Sequence, residues 1–449
     1  MKKKSTRFIA LFTAGLMLLA GLAGCAPGKA PAAGSQAAST ASAEFTPRLD
    51  TDAEVELKVA GFFGNFEALD QVVNDFNAYY PNVTVSYEQN NGNMLVEYLK
   101  NNPQVDIFMT DDTNLRYPDW TDYYVRDNCV DLTAEGVDIS AVQDGLLDSC
   151  IFDGELLRLP IGQDMTGIVV NESLLRREGL KEPATWQEFL DVCAALKEKG
   201  YTPVQGPEGS IYSNLVFSMG MSTLGTDPAL IEALNNGDDA AVKAVQPAFE
   251  RIQELLDKGY IDSAVNAEYP DDNYDGAILK FFEGDVPFWV CTTEKVSGMK
   301  KRESKSETYA ATPFDYTFLY APLGEEGVYE YIEPWVGFSV SKDSPNRDYA
   351  VEFMRFLAQE DQLNTMASVK GVPSIAKHAD DDRYVQLAST EKVQLHFVND
   401  GTVLNHMKDY FNIEAGNFGK GETATALQAA QNYVARCAQT AAEMAAKQQ

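Results

Sequence analysis

In the first quarter of the chain, segments in which apolar and polar residues alternate are separated by segments with helical spacing of apolar residues. Alternation over residues 55–59 and 83–87 predicts two strands, and the mostly apolar segment 105–109 predicts a third, buried strand. Between them, apolar residues at helical spacing over 69–80, stopped by Pro81, and over 94–99 predict two helices. A strand–helix–strand–helix–strand order is typical of a parallel α/β sheet with right-handed crossovers.

The rest of the chain repeats this mixture of elements. The sequence Thr185-Trp186-Gln187-Glu188 forms a capping box at the start of an amphipathic segment. Residues 300–312 are rich in charge and predict a loop. Further strands are predicted at 167–170, 288–290 and 336–340, and further helices at 171–179, 228–235, 239–258, 347–359 and 423–447. About 400 folded residues exceed one comfortable hydrophobic core, so we expect two α/β lobes.

The N-terminus has the pattern of an export signal. Four basic residues precede an uncharged run over 8–24, as in a secretory signal peptide: Lys2, Lys3, Lys4 and Arg7. The sequence Leu22-Ala23-Gly24-Cys25 resembles the lipobox at which bacterial lipoprotein precursors are acylated on cysteine and cleaved. We therefore expect a lipoprotein signal peptide over 1–24, lipidation of Cys25, and a flexible Ala/Ser/Gly/Pro-rich tether over 25–50.

The excess of acidic residues limits the classes of molecule that the protein is expected to bind. Asp and Glu together number 67 against 36 Lys and Arg, and the formal net charge is −31. Such a surface repels phosphate backbones, which argues against nucleic acid as a partner and favours a neutral or cationic ligand. Cleavage after residue 24 would make the protein still more acidic, because the signal region carries only positive charges.

Motifs for metals, nucleotides and covalent catalysis are incomplete. The stretch Asp271-x-Asn273-x-Asp275-Gly276 matches the first half of a calcium loop but lacks the acid at position twelve, so we favour Asp275 as a helix cap while calcium binding stays open. His378, His396 and His406 lie far apart, so we expect no metal and no cofactor. Of the cysteines after Cys25, Cys129 and Cys150 could form a pair, although buried free thiols are favoured.

Carboxylates near the ends of predicted strands are the strongest candidates for ligand chemistry. They are Asp111, Asp112, Asp164, Glu294 and Glu333. Two such acids could flank a glycosidic bond in a hydrolase, and the same acids could accept hydrogen bonds from sugar hydroxyls. Four aromatic residues, Phe62, Phe63, Trp289 and Trp335, could stack on the apolar faces of sugars or pack in the core.

A series of short motifs resembles the extracellular solute-binding lipoproteins (family 1, maltose-binding-protein-like) of ABC carbohydrate importers. It begins with Val59-Ala60-Gly61-Phe62-Phe63-Gly64. The most specific match runs from Leu159-Pro160-Ile161-Gly162-Gln163-Asp164 through Gly167-Ile168-Val169-Val170-Asn171. Phe281-Phe282-Glu283-Gly284, Gly337-Phe338-Ser339-Val340 and Gly371-Val372-Pro373-Ser374 follow in the same order as in the family, so the likeness covers nearly all of the chain after the tether.

This resemblance implies a two-lobed periplasmic-binding-protein-like fold (type II), with hinge crossovers near 160–164, 335–337 and 373–377. It implies an N-terminal lobe of residues 51–160 plus 337–375 and a C-terminal lobe of 161–336 plus 376–449. Carried over by position, it implies ligand contacts at Phe62, Phe63, Gly64, Asn65, Asp111, Asp112, Asp164, Trp289, Glu294, Trp335, Val336 and Gly337. Glu333, an acid near a predicted strand end, is added to these candidate ligand residues. The Trp of the central segment is shifted upstream relative to the family pattern, which weakens the expectation for Trp289.

The resulting hypothesis is a non-enzymatic receptor on the outer face of a bacterial cytoplasmic membrane. It would be a lipid-anchored monomer that captures a mono- or oligosaccharide and delivers it to the permease subunits of an ABC importer. Two alternatives stay open at this point: a secreted glycoside hydrolase, and a surface carbohydrate-binding or adhesion lipoprotein without a transporter. The motifs name neither the sugar nor the organism.

Overall fold

The computed structural model of the protein describes residues 45–90, 95–111, 115, 125–270, 273–379, 393–398 and 403–447. Residues 42–449 belong to one compact unit. The predicted signal peptide, Cys25, most of the tether, Asp112 and Asp271 lie outside the described residues. Within the described residues, no helix is both long and apolar enough to cross a bilayer.

The described chain contains both strands and helices. The strands are β1 (Val55–Gly61), β2 (Val83–Gln89), β3 (Ile107–Thr110), β4 (Ile151–Phe152), β5 (Glu155–Leu156), β6 (Leu159–Pro160), β7 (Gln163–Asp164), β8 (Thr166–Asn171), β9 (Val204–Gln205), β10 (Phe288–Thr292), β11 (Tyr316–Leu319), β12 (Val328–Pro334), β13 (Gly337–Val340) and β14 (Val393–Val398). The helices of the first half are α1 (Glu67–Phe76), α2 (Leu95–Asn101), α3 (Glu172–Arg177), α4 (Trp186–Glu198) and α5 (Ile211–Gly225). Those of the second half are α6 (Pro228–Asn236), α7 (Asp239–Asp257), α8 (Ser263–Asn266), α9 (Tyr274–Phe281), α10 (Thr293–Glu303), α11 (Glu307–Ala311), α12 (Arg347–Leu357), α13 (Glu360–Lys370), α14 (Asn405–Gly419) and α15 (Ala426–Lys447).

The N-terminal body, as we call the part built on the first sheet, has strand order β2-β1-β3-β13-β6. β1 pairs in parallel with β2 and β3, as the predicted strand–helix–strand–helix–strand order indicates. β13 then joins antiparallel to β3, so the sheet is mixed. Buried apolar residues from α1, α12 and α13 cover it, and the main core of this body draws its buried residues from Phe45 to Ile161 and from Phe338 to Ala376.

The C-terminal body contains a four-stranded sheet, β11-β8-β10-β9, and a three-stranded sheet, β14-β12-β7. Its largest core runs from Ile168 to Cys437 and includes α4, α5, α7, α14 and α15. α4 begins at the predicted capping box, where Thr185 accepts a hydrogen bond from the backbone N–H of Glu188 and Glu188 accepts one from Ala184.

Two expectations about local structure are wrong. Residues 300–312 are not a loop, because α10 and α11 cover most of that segment. Lys300, Lys301 and Arg302 occupy the last turn of α10, where positive charge is favourable for the helix dipole. The cap of α9 is Asn273, whose side chain accepts from the N–H of Gly276, while Asp275 pairs with Arg302 and Lys305.

Within the described residues, two neighbouring chain segments pass from one body to the other. β6 and β13 belong to the first sheet, whereas β7 and β12 belong to the three-stranded sheet, so residues 159–164 and 333–338 each pass from one body to the other. The two passages hydrogen bond to each other, Ile161 N–H to Val336 O (3.0 Å) and Trp335 N–H to Gly162 O (2.9 Å). Residues 373–376 lie beside them: the Gln163 side chain donates to Ser374 O at 2.5 Å. The three segments expected as crossovers therefore meet in one place.

Candidate functional site

A cavity of about 330 Å³ opens beside these passages, and we call it the hinge cavity. Its walls come from both bodies and from the passages themselves. Asp111, Ser149 and Arg158 line it from the N-terminal body. Phe217, Lys408, Asp409 and Asn412 line it from the C-terminal body, and Asp164, Glu333 and Trp335 from the passages.

Strand register brings the two central acids together. Asp164 in β7 lies directly opposite Glu333 in β12, in an antiparallel pair. Side chains at such positions share one face of the sheet and lie close together. Negative charge on Glu333 makes ionisation of the neighbouring Asp164 less favourable.

The surroundings of Asp164 favour its protonated form. Burial raises the pKa of Asp164 to about 7, and the negative charges of Glu333 and Glu294 act in the same direction. Hydrogen bonds from the Thr293 hydroxyl (2.8 Å) and the Met165 N–H (3.0 Å) oppose this rise. Near neutral pH the carboxyl can therefore either donate or accept a hydrogen bond.

Glu333 forms an ion pair with a lysine from a distant helix. Lys408 Nζ lies 2.6 Å from Glu333 Oε1, and the Tyr331 hydroxyl donates to the same oxygen at 3.1 Å. Lys408 comes from α14, far along the chain from β12. The ion pair connects the last helices of the C-terminal body to the passage segment.

A buried hydroxyl adds a polar group to the cavity wall. Ser149 is 1% exposed, and within the described part of the chain its Oγ has no hydrogen-bond partner. An unpaired buried hydroxyl costs free energy unless a ligand or water completes it. On the opposite wall, the buried Oδ1 of Asn412 likewise has no hydrogen-bond partner among the described residues.

An aromatic pair lies at the edge of the hinge cavity. The rings of Phe63 and Trp335 are 5.5 Å apart between centroids. Both are partly exposed and rest against the core of the N-terminal body. Lys370, at the end of α13, places Nζ 4.0 Å from the Phe63 ring centroid and 5.3 Å from that of Trp335.

The sequence profile described as "Bacterial extracellular solute-binding protein" matches residues 71–394. The chain belongs to this family. A probable sugar-binding periplasmic protein of Rhizobium meliloti is 27% identical to this solute-binding protein over 136 residues, which make up 28% of each chain.

Solved structures show the same fold. The sugar-binding protein MalE of Xanthomonas citri matches with a TM-score of 0.66 at 16% identity, covering 87% of this chain and 98% of that one. A sugar transporter protein of Bacillus licheniformis, crystallised with stachyose, matches with a TM-score of 0.60 at 19% identity, covering 85% and 98%. The expected two-lobed α/β periplasmic-binding-protein fold is thus confirmed, and the N- and C-terminal bodies are its lobes.

The structure brings some of the expected ligand residues of this solute-binding protein together. Asp111, Asp164, Glu333 and Trp335 line the hinge cavity, and Phe63 contacts Trp335. Glu294 lies exposed in the first turn of α10, close enough for its charge to act on Asp164. Asn65 is exposed and lines a neighbouring cavity near α1.

Other expected residues lie elsewhere. Trp289 is 2% exposed and packs edge-to-face against Tyr269 in a core of the C-terminal lobe, with 6.0 Å between ring centroids. Gly337 is buried in β13, where a side chain would collide with the backbone of Leu159. Phe62 and Gly64 flank Phe63 but line neither cavity.

Sequence reasoning missed the wall residues supplied by helices and loops: Ser149, Arg158, Lys370, Lys408 and Asn412. None of them is an acid or an aromatic residue near the end of a predicted strand, which is the pattern that marks the other candidates. Only Lys370 lies next to a sequence feature that could have indicated it, because it directly precedes the Gly371-Val372-Pro373-Ser374 motif. Within the described ranges, no group of His, Cys, Asp or Glu side chains is arranged to hold a metal ion.

Proposed function

We propose that this solute-binding protein captures an oligosaccharide in the hinge cavity and delivers it to the permease subunits of an ABC importer. The observation that carries the proposal is the meeting of Asp111, Asp164, Glu333 and Trp335 at a cavity between the lobes. Carboxyl groups bind sugar hydroxyls, and an indole face covers sugar C–H groups. The names of the R. meliloti relative and of both structural neighbours point in the same direction.

The proposed lobe boundaries are 51–160 plus 337–375 and 161–336 plus 376–449. They are supported by the separate cores and by the passage of the chain at 159–164 and 333–338. Closure of one lobe on the other would desolvate the ligand, and hinge closure of this kind is known for periplasmic binding proteins. No reaction step is needed for this role.

Sugar binding can be tested by thermal shift and calorimetry of the purified full chain against neutral and charged oligosaccharides. A ligand at one hundred times its Kd stabilises a protein by about 2.7 kcal/mol, which is readily measured. Stabilisation by peptides or polyamines but by no sugar would overturn the proposal. Release of sugar from chromogenic glycosides would indicate a hydrolase instead.

The site is tested by replacing Asp111 with Asn. Loss of a hydrogen bond to a charged group weakens sugar affinity about 10- to 100-fold. Asp343→Asn, at an exposed position after β13, is the matched control. If sugar affinity is the same in both variants and in Asp164→Asn, the site assignment fails although the fold is unaffected.

We further propose that Cys25 carries the lipid that anchors the protein, as a monomer, to the outer face of the cytoplasmic membrane. The supporting observation is the Leu22-Ala23-Gly24-Cys25 sequence at the end of an uncharged run. Cys25→Ser is expected to abolish labelling with a radioactive fatty acid and to move the protein from the membrane fraction. Labelling that persists in this variant would contradict the anchor.

A further inference from the structure

A second cavity of about 430 Å³ lies between the lobes, and we call it the side cavity. The N-terminal lobe contributes the start of α1 and the end of α13, and the C-terminal lobe contributes α10. Four basic side chains line it, Lys300, Lys301, Arg302 and Lys370, against one carboxylate, Glu67. This excess of positive charge contrasts with the net charge of −31 of the whole chain.

Three of the four basic residues already have acidic partners. Arg302 pairs with Asp275 (2.5 Å), Lys300 with Glu303 (3.1 Å) and Lys301 with Glu67 (3.5 Å). The Lys301–Glu67 pair joins α10 of one lobe to α1 of the other. Among the ion pairs formed by the described residues, none includes Lys370.

Lys370 is also partly desolvated. Its ammonium lies over the Phe63 and Trp335 rings, and burial lowers the pKa of Lys370 from its ordinary value. The charge of Lys301 adds to this lowering, and the charge of Glu294 opposes it. A half-buried cation whose contacts are ring faces gains more from an anion than a solvated lysine would.

Lys370 also lies close to the wall of the hinge cavity. It lines the side cavity, while Trp335, whose ring centroid is 5.3 Å from its Nζ, lines the hinge cavity. A ligand that fills the hinge cavity and passes the Trp335 ring would reach this ammonium with its next substituent.

We propose that the side cavity is a subsite for an anionic substituent of the sugar, a carboxylate or a sulfate ester, held directly by Lys370. This inference rests on the proposed function, because it assumes a sugar in the hinge cavity. The acidic surface opposes the approach of an anion only over short range, since charges are screened over about 8 Å at physiological ionic strength. At the subsite itself, we expect the positive charge of Lys370 to attract the anionic substituent more strongly than the distant surface acids repel it.

The test compares matched sugars by calorimetry on the purified full chain: a galacturonate trisaccharide, the galactose trisaccharide of the same linkage, and its sulfated form. We expect at least one anionic form to bind about tenfold or more tightly than the neutral form, in a salt-sensitive manner. Comparing the affinities of the galacturonate trisaccharide and the sulfated trisaccharide shows whether a carboxylate or a sulfate ester is preferred. Lys370→Met should bring the ratio of anionic to neutral affinity close to one, and Lys370→Arg should keep it.

Lys243→Met is the control, because Lys243 is exposed on α7 and lines neither cavity. If the neutral sugar binds as tightly as both anionic forms, or if Lys370→Met keeps the anionic preference, the inference is overturned while the proposed function stands. If none of the sugars binds and the wider oligosaccharide panel also fails, the proposed function itself fails.

Discussion

At the residue scale, Asp164 shows how a polar side chain near a hinge acquires unusual chemistry. It is one acid among 67, and the sequence alone assigns it no special acidity. The register that places it opposite Glu333, together with burial, raises its pKa to about 7. An isolated carboxylate on the surface would not show this behaviour.

The raised pKa of Asp164 should make the free energy of unfolding of the protein depend on pH above about pH 4. The folded state holds the Asp164 proton more tightly than the unfolded chain, whose Asp has an ordinary pKa of 3.8. Stability from this source is complete below about pH 4 and is lost as the pH rises through about 7. Asp164→Asn keeps a similar shape without ionising, so its free energy of unfolding relative to wild type should rise between pH 5 and pH 8.

Urea unfolding at the two pH values measures this difference. Asp343→Asn controls for the loss of a carboxylate as such. An equal trend in both variants, or no trend in Asp164→Asn, would contradict the explanation from burial and neighbouring charge.

The cysteines give a second prediction at this scale. Cys129, Cys150, Cys193, Cys291 and Cys437 are all free and buried, so the Cys129–Cys150 pair that the sequence left open is absent. Burial raises the pKa of Cys129 and Cys437 to about 12. Because the thiolate is the reactive form, a thiol reagent at pH 8 should label none of these five in the native protein and all of them in denaturant. Mass spectrometry after native labelling checks this, and modification of any of the five would show that its surroundings open.

At the scale of elements, the structure has a helix that the pattern of apolar residues does not reveal. α5 is buried on nearly all sides, from Ile211 to Leu224, so it lacks the polar face that marks an amphipathic helix. It packs beneath β12 and against α14. Its position puts Phe217 in the wall of the hinge cavity.

The contact between α5 and α14 depends on a glycine. A methyl group added at Gly220 would collide with the ring of Phe411 from α14. Gly220→Ala should therefore destabilise the protein by about 1–3 kcal/mol, as overpacked cores do. Gly416→Ala is the matched change within α14, where the new Cβ would meet only the Gly209 carbonyl oxygen at 3.6 Å.

The control variant should be neutral or more stable by about 0.5–1 kcal/mol, because alanine favours helix more than glycine does. Thermal or urea unfolding of the two variants side by side measures both effects. Equal stability of Gly220→Ala and wild type would mean that the Phe411 ring can move aside.

At the scale of the whole molecule, two lobes with separate cores are joined where 159–164 and 333–338 run side by side. In hinge closure, a few residues in connecting segments of this kind absorb the change in backbone angles. Both cavities lie between the lobes. The Lys301–Glu67 ion pair connects the two lobes beside the side cavity.

Ligand binding should therefore change the overall dimensions. Small-angle X-ray scattering of the purified protein is expected to show a smaller radius of gyration with a saturating sugar than without it. A sugar that binds by calorimetry and leaves the scattering curve unchanged would contradict closure while leaving binding intact.

Sequence by itself determined the features that depend on neighbouring residues. These are the first three parallel strands, the capping box at Thr185, the overall acidity and the candidate acids at strand ends, since periodicity, capping and charge are local properties. Only the tertiary structure decided which candidates meet. Register paired Asp164 with Glu333, packing placed Trp289 in the core, and the end of α13 brought Lys370 over Phe63 and Trp335. Those outcomes depend on contacts between segments far apart in the chain, which no local pattern contains.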